Sequence, residues 1–246
     1  MDISQIIYLI LIVLSVPLLF IVAYLLFKKS QQTKSVQSLY LARGFFIFGI
    51  AEILLILEQL VLNIKYPNQT TITDRGIAEE SARVLVCLAI FMVAFGLWYL
   101  NAFSLDFLPE QYAKLIYIIG PLAFVHAILY AIFPYHWYLK SAIWEFAHDV
   151  EPWHGPVLIF FYLTPVWLSP LLLLYATYRI RNEQKIVIIR SLTIALGLII
   201  GAFGYSVQVV APSLISGLSF FLMPLVAYLG FTMPNWYRNI FGLANV

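Results

Sequence analysis

The chain has 246 residues, 63% of them hydrophobic and only 11% charged, with a formal net charge of +2. Soluble domains carry roughly 25% charged residues, so a water-soluble globular fold is excluded. The small positive charge, accounted for by topology below, implies no nucleic-acid partner. A hydrocarbon core of about 30 Å is crossed by roughly 20 apolar residues in a helix. The sequence holds seven such runs, so the expected fold is an all-α membrane protein, a seven-helix bundle filling residues 1–246 as one domain.

The first span is expected from Ile6 to Phe27, closed by Lys28 and Lys29, and the second from Leu41 to Ile64. The third runs from Val84 to Phe107, before Pro109, and the fourth from Leu115 to Phe133, before Pro134. Val157 to Tyr178 forms the fifth, stopped by Arg179 and Arg181. Ile186 to Val210 makes the sixth, ending near Pro212, and Leu214 to Met233 the seventh, stopped by Pro234. No basic residue precedes the first run and no small-residue cleavage pattern follows it, so it reads as a retained helix rather than a signal peptide.

Lysines and arginines set the orientation. With the N-terminus outside, the outer segments hold only Lys65, Arg75, Arg83 and Lys140, and all the other basic residues fall inside. The positive-inside rule then predicts an outer N-terminus and an inner C-terminus. Inner connections are short, the longest expected from Lys28 to Tyr40 and from Arg179 to Lys185, and no soluble output domain fits among them. Cys87 alone makes no intrachain disulfide. Asn68-Gln69-Thr70 is a glycosylation sequon in the expected outer loop.

Polar groups inside the membrane are the candidates for function. Glu52 falls near the middle of the second span, where a carboxyl is costly and turns toward the bundle. Gln59 and Asn63, at i+7 and i+11, share its face, while Glu58 should point elsewhere. Two readings of this stripe stay open: a ligand, cation or proton site, or a protonated Glu52 hydrogen-bonded to a neighbouring helix. His126 in the fourth span offers a proton-sensitive partner for Glu52, or a neutral ring satisfied by a backbone carbonyl. The fifth span combines Tyr162, Thr164, Pro165, Trp167, Ser169 and Pro170, in which prolines bend the helix and aromatics line a pocket or simply pack. Pro17, Pro121 and Pro224 offer similar distortions in other spans. On the sixth, Gly197, Gly201 and Gly204 make a small face for close packing, with Tyr205 and Gln208 bordering a cavity further out.

The outer connection from Tyr135 to Pro156 carries Trp144, His148, Asp149, Trp153 and His154. The Trp137-Ser141-Trp144-His148 spacing predicts a short amphipathic helix at the interface, acting as a lid anchored by tryptophan. The histidines and acids match no standard zinc spacing, so no metal is expected. Arg43 and Gln59 in the second span correspond to Arg190 and Gln208 in the sixth, a pattern of the kind seen in repeat-built transporters.

The seventh span contains no lysine, which disfavours lysine-linked retinal, and no other cofactor is expected. Asn101-Ala102-Phe103-Ser104 lacks the acidic-arginine-aromatic triplet of the large eukaryotic receptor families. With Arg43-Gly44-Phe45-Phe46 entering the second span and Pro234-Asn235-Trp236-Tyr237-Arg238 leaving the seventh, the layout resembles the seven-helix N-terminal sensor region of some bacterial and archaeal histidine kinases. The resemblance implies a sensor in a prokaryotic plasma membrane, with its output through a separate signalling partner because no kinase follows. A receptor-like or sensory module is therefore the first expectation. A small-solute or proton-linked transporter and a structural subunit of a membrane complex stand as alternatives, and oligomerisation is open. His126 and Glu52 lack an accompanying nucleophile or metal constellation, so an enzyme ranks behind these.

Overall fold

The computed structural model describes residues 3–65, 77–132, 137–140, 143–146, 158–182, 184–210 and 214–243. Helices α1 (Ile3–Thr33), α2 (Val36–Lys65) and α3 (Ile77–Leu105) are followed by a 3-10 turn (Glu110–Leu115) and α4 (Ile116–Ile132). A hairpin of β1 (Trp137–Lys140) and β2 (Ile143–Phe146) comes next, then a π-helical turn (Leu158–Leu163) continuing into α5 (Thr164–Arg179). Helices α6 (Lys185–Val210), α7 (Leu214–Thr232) and the short α8 (Asn235–Ile240) complete the chain.

Six of these helical stretches are long and apolar enough to cross a membrane; the protein is an integral membrane protein of helical architecture. The fifth expected span departs from a single helix. Pro165 has no N–H to donate back along the helix, and the backbone changes from π to α geometry at Thr164, one residue before it. Pro17, Pro121 and Pro224, by contrast, sit inside unbroken α-helices.

The inner connection expected from Lys28 to Tyr40 shrinks to a tight turn. Helix α1 runs through Lys28 and Lys29 to Thr33, since lysine stems are long enough to carry an ammonium group away from hydrocarbon. It ends where Lys34 takes a left-handed conformation (φ 54°), the usual way of terminating a helix. Ser35 then opens α2, its Oγ accepting the Ser38 N–H at 3.2 Å as an N-terminal cap.

The outer connection also departs from expectation. Its expected amphipathic helix is replaced over residues 137–146 by an antiparallel hairpin that pairs Trp137 with Phe146 and Leu139 with Trp144. Aromatic residues on both arms and the β-branched Ile143 on the second favour extended backbone over helix. His148, Asp149, Trp153 and His154 lie outside the described residues.

The helices pack as a ring in chain order, closed by α7 against α1, and α3 also reaches across to α5. Leu19, Phe45, Phe48, Phe103, Leu173 and Ile194 are buried inside it. Facing outward are Phe46, Leu60, Tyr117, Ile118, Leu171 and Leu196, each at least half exposed, an apolar exterior that suits hydrocarbon and not water. The glycine face of α6 meets α7 as its spacing predicts. A Cβ at Gly197 would stand 2.6 Å from the Ala227 backbone nitrogen, so only glycine permits this approach.

Candidate functional site

Among the described residues, helix α2 supplies the two most deeply buried acids. Glu52 is 4% exposed and faces α1, where its carboxyl is hydrogen-bonded to Ser15. Ser15 Oγ also lies 2.7 Å from the Ile12 carbonyl oxygen. A hydroxyl has one proton to donate. While Ser15 donates to Ile12, the contact with Glu52 is satisfied by a proton on the carboxyl. If Glu52 ionises, Ser15 turns to donate to it and the Ile12 bond is given up. The charge of Glu52 is thus coupled to a backbone contact within α1.

Glu58, off the Glu52 face, is buried as well. It is 0% exposed, more deeply buried than Glu52. Six residues along a helix is a rotation of 600°, which returns a side chain 120° from its start. On a helix enclosed by α1 on one side and α3 on the other, that angle leads to another protein contact rather than to lipid. Gln59 Nε2 donates to Glu58 Oε2 at 3.1 Å, while Glu58 Oε1 has no hydrogen-bond partner among the described residues. Gln59 itself is buried beside it. Tyr8, one heptad before Ser15, is buried in α1; the antiparallel α1–α2 register that matches Ser15 with Glu52 places it at the level of Gln59. The side chain of Asn63 lies outside the described residues.

One turn below Glu52, Phe48 packs on Tyr205 of α6 with ring centroids 5.6 Å apart, and Tyr205 packs on Phe220 of α7 at 4.7 Å. Beside them, Trp167 Nε1 donates to Ser206 Oγ at 2.9 Å, and Ser206 donates to the Ala202 carbonyl at 2.8 Å, linking α5 to α6. Tyr205 and Trp167 pack against the same buried core. Tyr162 falls in the π-helical turn, with its side chain outside the described residues.

His126 is buried on α4, which packs on α3, with α3 standing between it and the main α2 surface. The hydrogen bond assigned to Glu52 goes to Ser15 of α1, so the structure does not bring the Glu52–His126 pair together.

A second polar cluster went unremarked in the sequence. Asn101 Nδ2 donates to the carbonyls of Leu97 (2.8 Å) and Pro165 (3.0 Å), which fastens α3 to α5. Ser169 Oγ donates to the Leu100 carbonyl at 3.0 Å, leaving Ser104 to donate to Ser169 at 2.8 Å. The available signal was a matched spacing: Asn101 and Ser104 at i,i+3, facing Pro165 and Ser169 at i,i+4. Both pairs lie on one helix face.

No group of three or more His, Cys, Asp or Glu among the described residues is arranged to hold a metal ion. No protein-family model, curated protein or solved structure matches this chain.

Proposed function

We propose that this protein is a receptor-like sensory module of seven membrane-spanning segments, the π-helical turn and α5 together forming the segment beyond the six single helices. It reads a proton or small polar solute arriving at the end opposite the basic residues. It passes a helix movement to a separate partner at the basic, cytoplasmic end. The observation that carries this reading is the pair of buried carboxyls on one span, Glu52 and Glu58, with the buried apolar side chains Phe48, Phe45 and Leu41 of α2 lying between Glu52 and the basic end. Intramembrane acids are expensive and mark functional sites. Apolar packing on that side favours a binding event that moves helices over a polar path that conducts. The reading also accords with the resemblance of the layout to histidine-kinase sensor regions.

Spin labels at Gln111→Cys and Arg181→Cys in a Cys87→Ser background would report helix displacement at the basic end. The distance between them should differ between neutral and acidic buffer in nanodiscs, and Glu52→Gln, which keeps shape but not ionisation, should abolish the difference. An unchanged distance in the parent protein would remove the proton from the proposal. A pH-driven proton flux in proteoliposomes, lost in Glu52→Gln, would replace sensing with transport. Orientation is tested separately: cysteines at Lys34 and Arg181 should resist an impermeant reagent in intact cells, while one at Glu80 should react.

A further inference from the structure

We infer that the basic end of the bundle carries a binding site for the phosphate of an anionic phospholipid headgroup, formed by Lys29 and Arg190 around the Phe231 ring. Lys29, near the end of α1, donates from Nζ to the Phe231 carbonyl at 3.0 Å and lies 4.4 Å from that residue's ring centroid. Arg190, in the second turn of α6, holds its guanidinium 4.7 Å from the same centroid. Arg238, on α8, donates from Nε to the Met233 carbonyl at 2.8 Å. Sharing one ring keeps Lys29 and Arg190 within a Debye length, roughly 10 Å at 0.1 M salt.

Capping of α7 accounts for part of this arrangement, since Lys29 and Arg238 hydrogen-bond to carbonyls at its end. The capping role is too small for the charge assembled. A helix C-terminus presents about half a negative charge, against the full positive charges of Lys29 and Arg190, drawn from two different helices. Among the described residues, neither Lys29 nor Arg190 is ion-paired with a carboxylate. Lys29 retains further N–H donors, and Arg190 presents a planar fork of five. A phosphate, with several acceptor oxygens on one centre, matches donors converging from α1 and α6.

The depth of the cluster selects the source of that phosphate. Trp236 and Ile240 on α8 are 57% and 67% exposed, while Tyr237 of the same helix is fastened to α6 by its hydroxyl, 2.8 Å from Thr193 Oγ. A short helix presenting Trp outward beside a basic residue sits at the headgroup level of a bilayer. Basic pockets between membrane helices at that level receive anionic headgroups. The inference stands independently of the proposed sensory role.

The test uses the full chain in nanodiscs of phosphatidylcholine alone or mixed with phosphatidylglycerol. Retained lipid is read by native mass spectrometry and the thermal midpoint by fluorescence. Phosphatidylglycerol should be retained in preference to phosphatidylcholine and should raise the midpoint. Its relative affinity should fall about fivefold for each charge removed in Lys29→Gln and Arg190→Gln. Arg190→Lys preserves the charge and should keep most of the preference, separating lipid binding from assembly. Lys185→Gln should leave the preference largely intact, since the Lys185 ammonium is engaged at the Phe241 carbonyl, 2.9 Å away. Equal retention of the two lipids by the parent protein, or an equal loss in Lys185→Gln, would overturn the inference. Protection by inorganic phosphate in phosphatidylcholine discs matching that by phosphatidylglycerol would overturn it too, assigning the cluster to a soluble anion.

Discussion

The α1–α2 and α3–α5 interfaces both bury polar side chains within the bundle, but they do so with different chemistry. Between α3 and α5, Asn101, Ser104 and Ser169 are neutral and spend their donors on backbone carbonyls or on one another. Nothing there changes charge, and each bond ties one helix to the other or to its own preceding turn. At α1–α2 a carboxyl meets a single hydroxyl whose one proton has two acceptors in reach; Glu58, on another face of α2, holds an oxygen with no partner among the described residues, as Asn101 does at Oδ1. A neutral amide would fasten α1 to α2 more cheaply, because burying an ionisable group without full pairing costs stability. The first interface attaches with neutral groups, and the second, on the proposed reading, changes state.

The comparison breaks most readily at Ser15. Ser15→Ala strips the Glu52 carboxyl of its partner and should lower stability by about 2 kcal/mol. Adding Glu52→Leu should restore most of that loss, because removing both partners of a buried hydrogen bond is far less costly than removing one. Reversible unfolding in mixed micelles measures the cycle; a double variant no more stable than Ser15→Ala would show that the pair is not an isolated unit.

Asn101→Leu tests the attachment side. An interhelical hydrogen bond in a membrane is worth roughly 0.6 kcal/mol; losing the one to Pro165 together with the one to Leu97 in Asn101's own helix should cost about 1 kcal/mol in the same assay. The spin-label distance change should survive. Its disappearance would mean that the α3–α5 fastening also takes part in switching.

Glu58→Met sharpens the other side and carries the smallest effect. Methionine fills similar space without a polar atom that needs a partner. Stability should rise by up to about 1 kcal/mol, while the response to acid should weaken. A gain in stability with an unaltered response would remove Glu58 from the sensing site and leave Glu52 alone.

Much of the architecture was legible in the residues themselves, because hydrocarbon requires long apolar helices and charge is confined to their ends. The ends of α6 and α7, the stop before Pro109, the burial of Glu52 and the glycine face of α6 all follow from composition and period. Where the reading went astray, a local signal met a competing one. Lys28 and Lys29 read as a boundary, yet lysine stems are long enough for the helix to continue beneath them. The tryptophan spacing near residue 140 fitted a helix, yet the same residues favour strands.

What only the tertiary structure decided is which helix each polar face meets. Helical periodicity places Glu52 on a face of α2 but carries no information about its neighbour. The ring order matched it with Ser15 and put α3 between it and His126. The same limit concealed Asn101 and Ser104, ordinary polar residues until α5 is laid against them, and the convergence of Lys29 and Arg190 on Phe231, which lie far apart in the chain. Apolar patterning specifies burial because the solvent acts on each residue separately, whereas a hydrogen bond or a charge cluster needs two or more segments at once, and packing alone brings those together.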